Sequence, residues 1–234
     1  MVKMIGVIGG VGFFEAEVFK GAGVEEIKTP YGAVQTLVLG EVTFIPRHGI
    51  QSKVPPHKIN HLTNVFAFKE KGITNIIGVN SVGSLKQEFS PPSILIPHDY
   101  ISPWNIATYH DDKIVHITPC LDEGLRQSLL SFAHKFGLEV IEKGVYIQTL
   151  GPRLETKAEI HMLKGFGDVV GMTMANEATL AKELDLGYAS ICSVDNYAHG
   201  IVDEPLTSEL IIKNARINGD KIRDFLLKMS EEFE

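Results

Sequence analysis

Apolar residues fall along this chain in two rhythms, short continuous runs and wider helical stripes, and their alternation predicts strands interleaved with helices. Residues 4–8 form an apolar run that stops at Gly9-Gly10 and reads as a first strand. Residues 34–39 and 42–46 are rich in β-formers and are separated by Gly40-Glu41, the signature of a hairpin. Between 56 and 71, Ile59, Leu62, Phe66 and Phe68 mark a helix that Gly72 stops. Residues 75–82 and 94–101 read as strands, and 121–136 as a helix. Its Leu125, Leu129, Phe132 and Phe136 recur on one face before Gly137. Residues 145–150 and 188–194 are continuous apolar runs of the kind buried on both faces. A helix over 177–186 is expected to be capped by Asn176. From Ser208 onward Ile211, Ala215, Ile222, Phe225, Leu226 and Met229 outline a closing helix interrupted at Gly219. This order predicts an α/β fold, a single domain over residues 1–234 with a mixed central β-sheet flanked by helices.

Composition narrows the partner more than the fold. Hydrophobic residues at 44% and charged residues at 22% suit a globular chain with a substantial core. A formal charge of −7 and scattered lysines give no basic footprint, so neither nucleic acid nor an anionic membrane is the expected partner, and a small molecule is. The N-terminal apolar run is too short for a signal segment, and no run approaches the roughly 20 apolar residues of a membrane span. The expected location is cytoplasmic. Cys120 and Cys192 form no CxxC pair and read as buried reduced thiols. His48, His57 and His61 accompany no paired cysteines and no HExxH, so they read as structural or solvent-facing, with no metal site.

Candidate chemistry gathers in glycine-punctuated runs at strand ends. Residues 151–156, 168–173 and 193–200 each bring polar groups to a strand's carboxyl end, where open α/β sheets bind ligands. Glu155, Thr173, Asp195 and Asn196 arriving together suggest a neutral, hydrogen-bonding small molecule. Gly9-Gly10-Val11-Gly12 is either a structural turn or a backbone cradle for an anion. It resembles a dinucleotide fingerprint only loosely, because Glu15 stands at the third-glycine place and no clean helix follows. Arg47-His48-Gly49 suits phosphate or carboxylate, since guanidinium is a rigid two-pronged donor. Asn80-Ser81-Val82-Gly83-Ser84 is either a turn or a wrap for an oxyanion. Asp195-Asn196 is either an Asx-type turn or a polar pair buried for a purpose. The chain has no Gly-x-Ser-x-Gly elbow, and Cys192 lies within an apolar run, which argues against serine or thiol nucleophiles.

Seven runs taken in order resemble the purine nucleoside phosphorylase superfamily, in its methylthioadenosine phosphorylase branch. They are residues 5–10, Pro46-Arg47-His48-Gly49, Pro55-Pro56-His57-Lys58-Ile59-Asn60, Val82-Gly83-Ser84-Leu85, Gly151-Pro152-Arg153, residues 167–173 and Asn196-Tyr197-Ala198-His199-Gly200. The resemblance implies a phosphorylase fold, homotrimeric or homohexameric assembly, no metal or organic cofactor, and phosphate as co-substrate beside a purine nucleoside. It assigns phosphate to Arg47, His48, Thr173, the Asn80-Ser81 turn and the Gly10-Val11 backbone, and ribose to Met172. His116 is similar to a histidine that a neighbouring subunit inserts near the sugar's 5′ end. Glu155 and Asn196 resemble the base-reading pair of members that act on 6-oxopurines, with Leu154 beside them.

Four positions depart from the pattern. Val11 stands where relatives carry a hydroxyl, Ser52 where many carry histidine, and Leu154 where phenylalanine is usual. Asp195 stands where asparagine-type relatives carry threonine, so an aspartate, the reader of 6-aminopurines, sits beside the asparagine. Asn196 and Asp195 are therefore both candidate catalytic and base-binding residues. The implied reaction is phosphorolysis of a 6-oxopurine or 5′-methylthio nucleoside to free base and a ribose 1-phosphate derivative. A phosphate-independent nucleoside hydrolase and a non-catalytic nucleoside-binding protein of the same fold are the alternatives. The closing helix also looks short for this branch, which implies a more open sugar site.

Overall fold

Two buried strands at the centre of a mixed sheet, β1 (Ile5–Gly9) and β5 (Asn75–Ser84), run parallel and set the position of everything else. The computed structural model describes residues 5–10, 13, 19, 21–104 and 107–232; Met4, Val11, Gly12 and Glu15 lie outside them. Beyond β1 come β4 (Val42–Pro46), β3 (Gly32–Leu39) and β2 (Gly23–Thr29). The β3–β4 hairpin turns at Gly40, whose φ of 57° is a left-handed value that suits glycine. On the other edge of β5 lies β10 (Gly187–Tyr197), parallel to it, with β6 (Ser93–Leu95) antiparallel outside.

β5 is longer than β1 and outlasts it. β1 leaves β5 at the Gly9–Val79 rung, and the freed edge is taken up again only at Gly83 and Ser84, by the antiparallel β9 (Val169–Gly171). β8 (Val145–Gln148) and β7 (Asp99–Ile101) continue outward from β9. The sheet therefore splits beside Asn80, Ser81 and Val82, which makes a crevice at strand carboxyl ends.

Both faces are covered. α2 (Glu123–Phe136) and α5 (Ser208–Glu231) bring Leu125, Leu129, Ile222, Phe225 and Met229 against Ile5, Val7, Ile77, Ala189 and Ile191. α1 (His61–Glu70) and α4 (Met174–Glu183) bring Val65, Phe68, Ala178 and Ala181 against Ile8, Ile45, Ile76, Tyr188 and Cys192. Alternate residues of β1 and β10 thus enter different cores, the reason these runs are apolar without interruption. Asp122 caps α2 by accepting from Leu125 N at 2.8 Å, and Gly137 ends it in the left-handed conformation.

Several boundaries differ from expectation. The strand expected over 94–101 is two strands, β6 and β7, which separate around Pro97 and pair with different neighbours. The helix expected over 56–71 begins at His61, after a 3₁₀ turn over Pro56–Lys58. Asn176 caps nothing, because α4 starts earlier and Thr173 is its N-cap residue. Gly219 does not interrupt α5; it is buried within 24 continuous helical residues. β2 and the seven-residue α3 (Lys157–Leu163) were not expected. Cys192 is buried, and burial pushes its thiol up to about 12, whereas Cys120 is exposed rather than buried. Among the described residues no helix is long and apolar enough to cross a membrane.

Candidate active site

A cavity of about 560 Å³ opens where the sheet splits, and Arg47, Glu155, Thr173 and Asn196, which are distant in the chain, all line it. Its size falls in the range of small-molecule sites, roughly 300–1,000 Å³. β5 supplies Ser81, Val82 and Gly83, and the turn after β9 supplies Met172 and Thr173. Gly10, His48 and Leu154 also line it, and Ile211, Ile212 and Arg216 bring a wall from α5, with Leu206 just ahead of that helix.

Arg47 does not offer the cavity a two-pronged grip. Its Nε donates to Glu177 Oε1 at 2.5 Å, and its Nη2 donates to Glu177 Oε2 at 3.0 Å and to Ile8 O at 3.1 Å. Nη1 donates to Val79 O at 2.8 Å. A guanidinium has five N–H donors, so one hydrogen on Nη1 remains. It lies on the Gly10 side, where a Cβ at residue 10 would stand 3.1 Å from Nη1. Arg47 thus gives the cavity positive charge and one N–H, and its fork is spent on Glu177. That glutamate is fully buried in the first turn of α4, where the helix dipole favours a negative charge, and it also accepts from Tyr188 Oη at 2.8 Å.

Thr173 has the better aim. Its hydroxyl oxygen accepts from Asn80 Nδ2 at 2.9 Å, which leaves the hydroxyl hydrogen to donate. The first N–H groups of α4 are already taken, by Tyr146 Oη and by Gln148 Oε1. Asn80 itself is fully buried and does not line the cavity: its Oδ1 accepts from Ser190 Oγ at 2.8 Å, and its amide holds Thr173. The expected Asn80-Ser81 turn is the body of β5, with Asn80 behind the wall and Ser81 in it. His48 Nδ1 lies 2.6 Å from Val54 O, an acceptor, so Nδ1 carries the hydrogen and the neutral ring has a bare Nε2. Burial lowers the His48 pKa, which favours that neutral form. Val11 lies outside the described residues.

At the opposite end, the adjacent pair Asp195-Asn196 is divided by a β-bulge. Val194 pairs with Val82 and Asn196 with Gly83, so Asp195 is an extra residue with no rung of its own. Asn196 lines the cavity, and its Nδ2 donates to Tyr197 O at 2.8 Å, leaving Oδ1 and one N–H for a ligand. Asp195 is fully buried and does not line the cavity, contrary to its expected role in reading a base. Its carboxylate takes the hydroxyl hydrogens of Ser81 and Ser193, and its backbone O accepts from Asn214 Nδ2 at 2.8 Å. Burial pushes this carboxyl up to about 6, against the hydrogen bonds, which pull it down. Glu155 Oε1 accepts from Thr149 Oγ1 at 2.6 Å, which aims the carboxylate. His116 is exposed and does not line this cavity.

The family model described as the phosphorylase superfamily matches residues 4–231. This chain belongs to the phosphorylase superfamily. It is similar to a probable 6-oxopurine nucleoside phosphorylase from Archaeoglobus fulgidus, 47% identical over 98% of this chain and 95% of the relative. It is also similar to a probable S-methyl-5′-thioinosine phosphorylase from Methanocaldococcus jannaschii, 41% identical over 98% of this chain and 91% of the relative. Among solved structures, methylthioadenosine phosphorylase from Schistosoma mansoni in complex with adenine superposes with a TM-score of 0.89 at 26% identity. The match covers 97% of this chain and 90% of that one.

Sequence reasoning about this phosphorylase missed the α5 wall and Glu177. Ile211 belongs to the apolar stripe that outlines α5, but adjacent Ile212, which is 51% exposed, broadens the apolar face beyond what packing on the sheet requires. Arg216 follows on the same wall. Nothing local to Glu177 distinguishes it from a dipole-favoured first-turn glutamate, because its partner lies 130 residues earlier.

Proposed function

We propose that this phosphorylase splits purine nucleosides with phosphate and reads 6-oxopurines through Asn196. The single observation that carries the base assignment is the division of the pair: the amide of Asn196 faces the cavity and the carboxylate of Asp195 does not. Asn196 Oδ1 accepts from N7–H of the departing base, and its remaining N–H donates to O6. Glu155, a pure acceptor, meets the N1–H that a 6-oxopurine carries. Phosphate lies toward Thr173, whose hydroxyl donates, and toward the one free N–H and positive charge of Arg47.

The C1′–N9 bond breaks with its electron pair passing to the purine, a phosphate oxygen bonds to the cation-like C1′, and the proton that hydrogen phosphate gives up passes through water to N7 of the departing base. As negative charge builds on the base, the bond that Asn196 donates to O6 strengthens, and its Oδ1 receives the N7–H once N7 takes its proton, which lowers the barrier without tightening ground-state binding. Leu206, Ile211 and Ile212 offer an apolar wall that suits an uncharged 5′ group such as a methylthio group. In this reading phosphate is the co-substrate, and the chemistry calls for no metal or organic cofactor. His116, exposed beside Ile114 and Val115, is available to a neighbouring copy, in keeping with a homotrimer or homohexamer.

Release of free base from inosine, guanosine, methylthioinosine and methylthioadenosine, each with and without phosphate, tests the reading. The expected result is release that depends on phosphate and is faster for the 6-oxopurines. Because Glu177 occupies most of Arg47, a hydrolase is the competing possibility, and release without phosphate decides for it. Faster release from methylthioadenosine overturns the base assignment.

A further inference from the structure

Asp195 is a buried carboxylate that the chemistry above leaves unused, and it stands directly behind the cavity wall. Its oxygens take the hydroxyl hydrogens of Ser81 on β5 and Ser193 on β10, two serines held side by side on one rung of the sheet. A serine has a single hydroxyl hydrogen. With that hydrogen committed to a carboxylate, Ser81 Oγ shows the cavity only lone pairs. It can accept from a ligand hydroxyl, and it cannot donate to phosphate as the resemblance implied.

The place of Ser81 on β5 says which part of the ligand it meets. Asn80, one residue earlier, holds Thr173 at the anion end, and Gly83, two residues later, pairs with Asn196 at the base end. The group between a purine and an attacking phosphate is the sugar, whose hydroxyls are donors. We infer that Asp195 is a positioning residue that fixes Ser81 as the hydrogen-bond acceptor for a ribose hydroxyl, an assignment that rests on the nucleoside reading above.

The energetics favour such a role. As C1′ becomes cation-like, the sugar hydroxyls become better donors, and a serine polarised by the carboxylate behind it binds them more tightly in the transition state than in the ground state. No cation pairs with Asp195 among the described residues; polar groups alone surround its carboxylate, Ser81 from β5, Ser193 from its own strand and Asn218 from α5. An unpaired buried carboxylate is costly to fold, and burial pushes it up only to about 6, so it is ionised at neutral pH and draws the serine hydrogen inward.

Steady-state rates with inosine, 2′-deoxyinosine and 3′-deoxyinosine at saturating phosphate test this in the wild type, Ser81→Ala, Asp195→Ala and the double variant. In the wild type, loss of the hydroxyl that Ser81 meets lowers kcat/KM about tenfold, the worth of one hydrogen bond. Ser81→Ala abolishes that discrimination, Asp195→Ala reduces it several-fold, and the double variant discriminates no differently from Ser81→Ala. Ser81→Ala removes only a hydroxyl, so it keeps the test decisive even where Asp195→Ala does not fold. Wild-type discrimination retained in Ser81→Ala overturns the assignment. So does an Asp195→Ala loss that is as large without Ser81 as with it. A wild type that releases no base from any nucleoside defeats the nucleoside reading itself, whereas an active wild type with unaltered ratios in the variants defeats only the role of Asp195.

Discussion

Glu177 grips Arg47 with both carboxylate oxygens, at 2.5 Å on Nε and 3.0 Å on Nη2, and solvent reaches neither side chain to any extent. The pair ties β4's end to the first turn of α4, the helix whose N-cap residue is Thr173. It therefore fixes the cavity floor at the end proposed for phosphate, and leaves Arg47 one N–H to offer there. Removing one partner of a buried pair strands the other charge and typically costs about 3–5 kcal/mol. Glu177→Gln is expected to lower the unfolding free energy by about that amount, read from urea titrations. A loss below about 1 kcal/mol, the scale of an exposed pair, means that solvent reaches Arg47 after all.

The Thr173 hydroxyl oxygen accepts from Asn80 Nδ2, which leaves its one hydroxyl hydrogen for a ligand in the cavity that Thr173 lines. Thr173→Val keeps the shape and removes the donor. Hydrogen bonds to charged groups are worth about 1.5–3 kcal/mol, so the KM for phosphate is expected to rise at least about tenfold. The KM for the nucleoside should barely move. Initial rates with each substrate varied in turn check this, and equal rises in both constants count against an anion end at Thr173.

The parts of the fold legible in the sequence are those decided locally. Gly40-Glu41 between two β-rich runs, and the stripe of Leu125, Leu129 and Phe132 ahead of Gly137, carry their own signals. α3 escapes local reading: it is short and polar enough to pass as a loop, and only the capping box between Thr156 and Glu159, formed in the structure, marks its start. Where tertiary packing overrides propensity, local reading fails. Gly219 costs α5 about 1 kcal/mol relative to alanine, and burial of Ile222, Phe225, Leu226 and Met229 exceeds that cost. The candidate site divides the same way. Strand-end glycines marked the loops that meet at the cavity, but which of Asp195 and Asn196 faces inward depends on a bulge, and one extra residue re-aims its neighbour.

On the proposed reading Asn196 acts on the rate more than on binding, because the bond it donates to O6 strengthens as charge reaches the base. Loss of one such donor in comparable sites lowers kcat by about 10²–10³. Asn196→Ala should show that fall with a smaller change in the nucleoside KM. Asn196→Asp replaces the amide donor with an acceptor, so its ratio of kcat/KM for methylthioadenosine over methylthioinosine should rise. A variant that loses both substrates equally removes Asn196 from base reading.

Asp195 links activity and stability with opposite signs. Its carboxyl is pushed up to about 6 in the folded chain, against about 3.9 for an aspartate in an unfolded one. The folded state therefore holds this proton more tightly, and the stability so gained is full below about pH 4 and lost as the pH rises through about 6. Asp195→Asn abolishes the titration. The difference in unfolding free energy, variant minus wild type, is expected to grow by about 2–3 kcal/mol between pH 4 and 7, measured by urea titration of both proteins at each pH. A difference that does not change with pH means that the carboxyl is not held in the environment described. At neutral pH the same substitution removes the charge behind Ser81, so kcat/KM should fall where relative stability gains most. That opposition is expected of a carboxylate kept for the cavity at the expense of the fold.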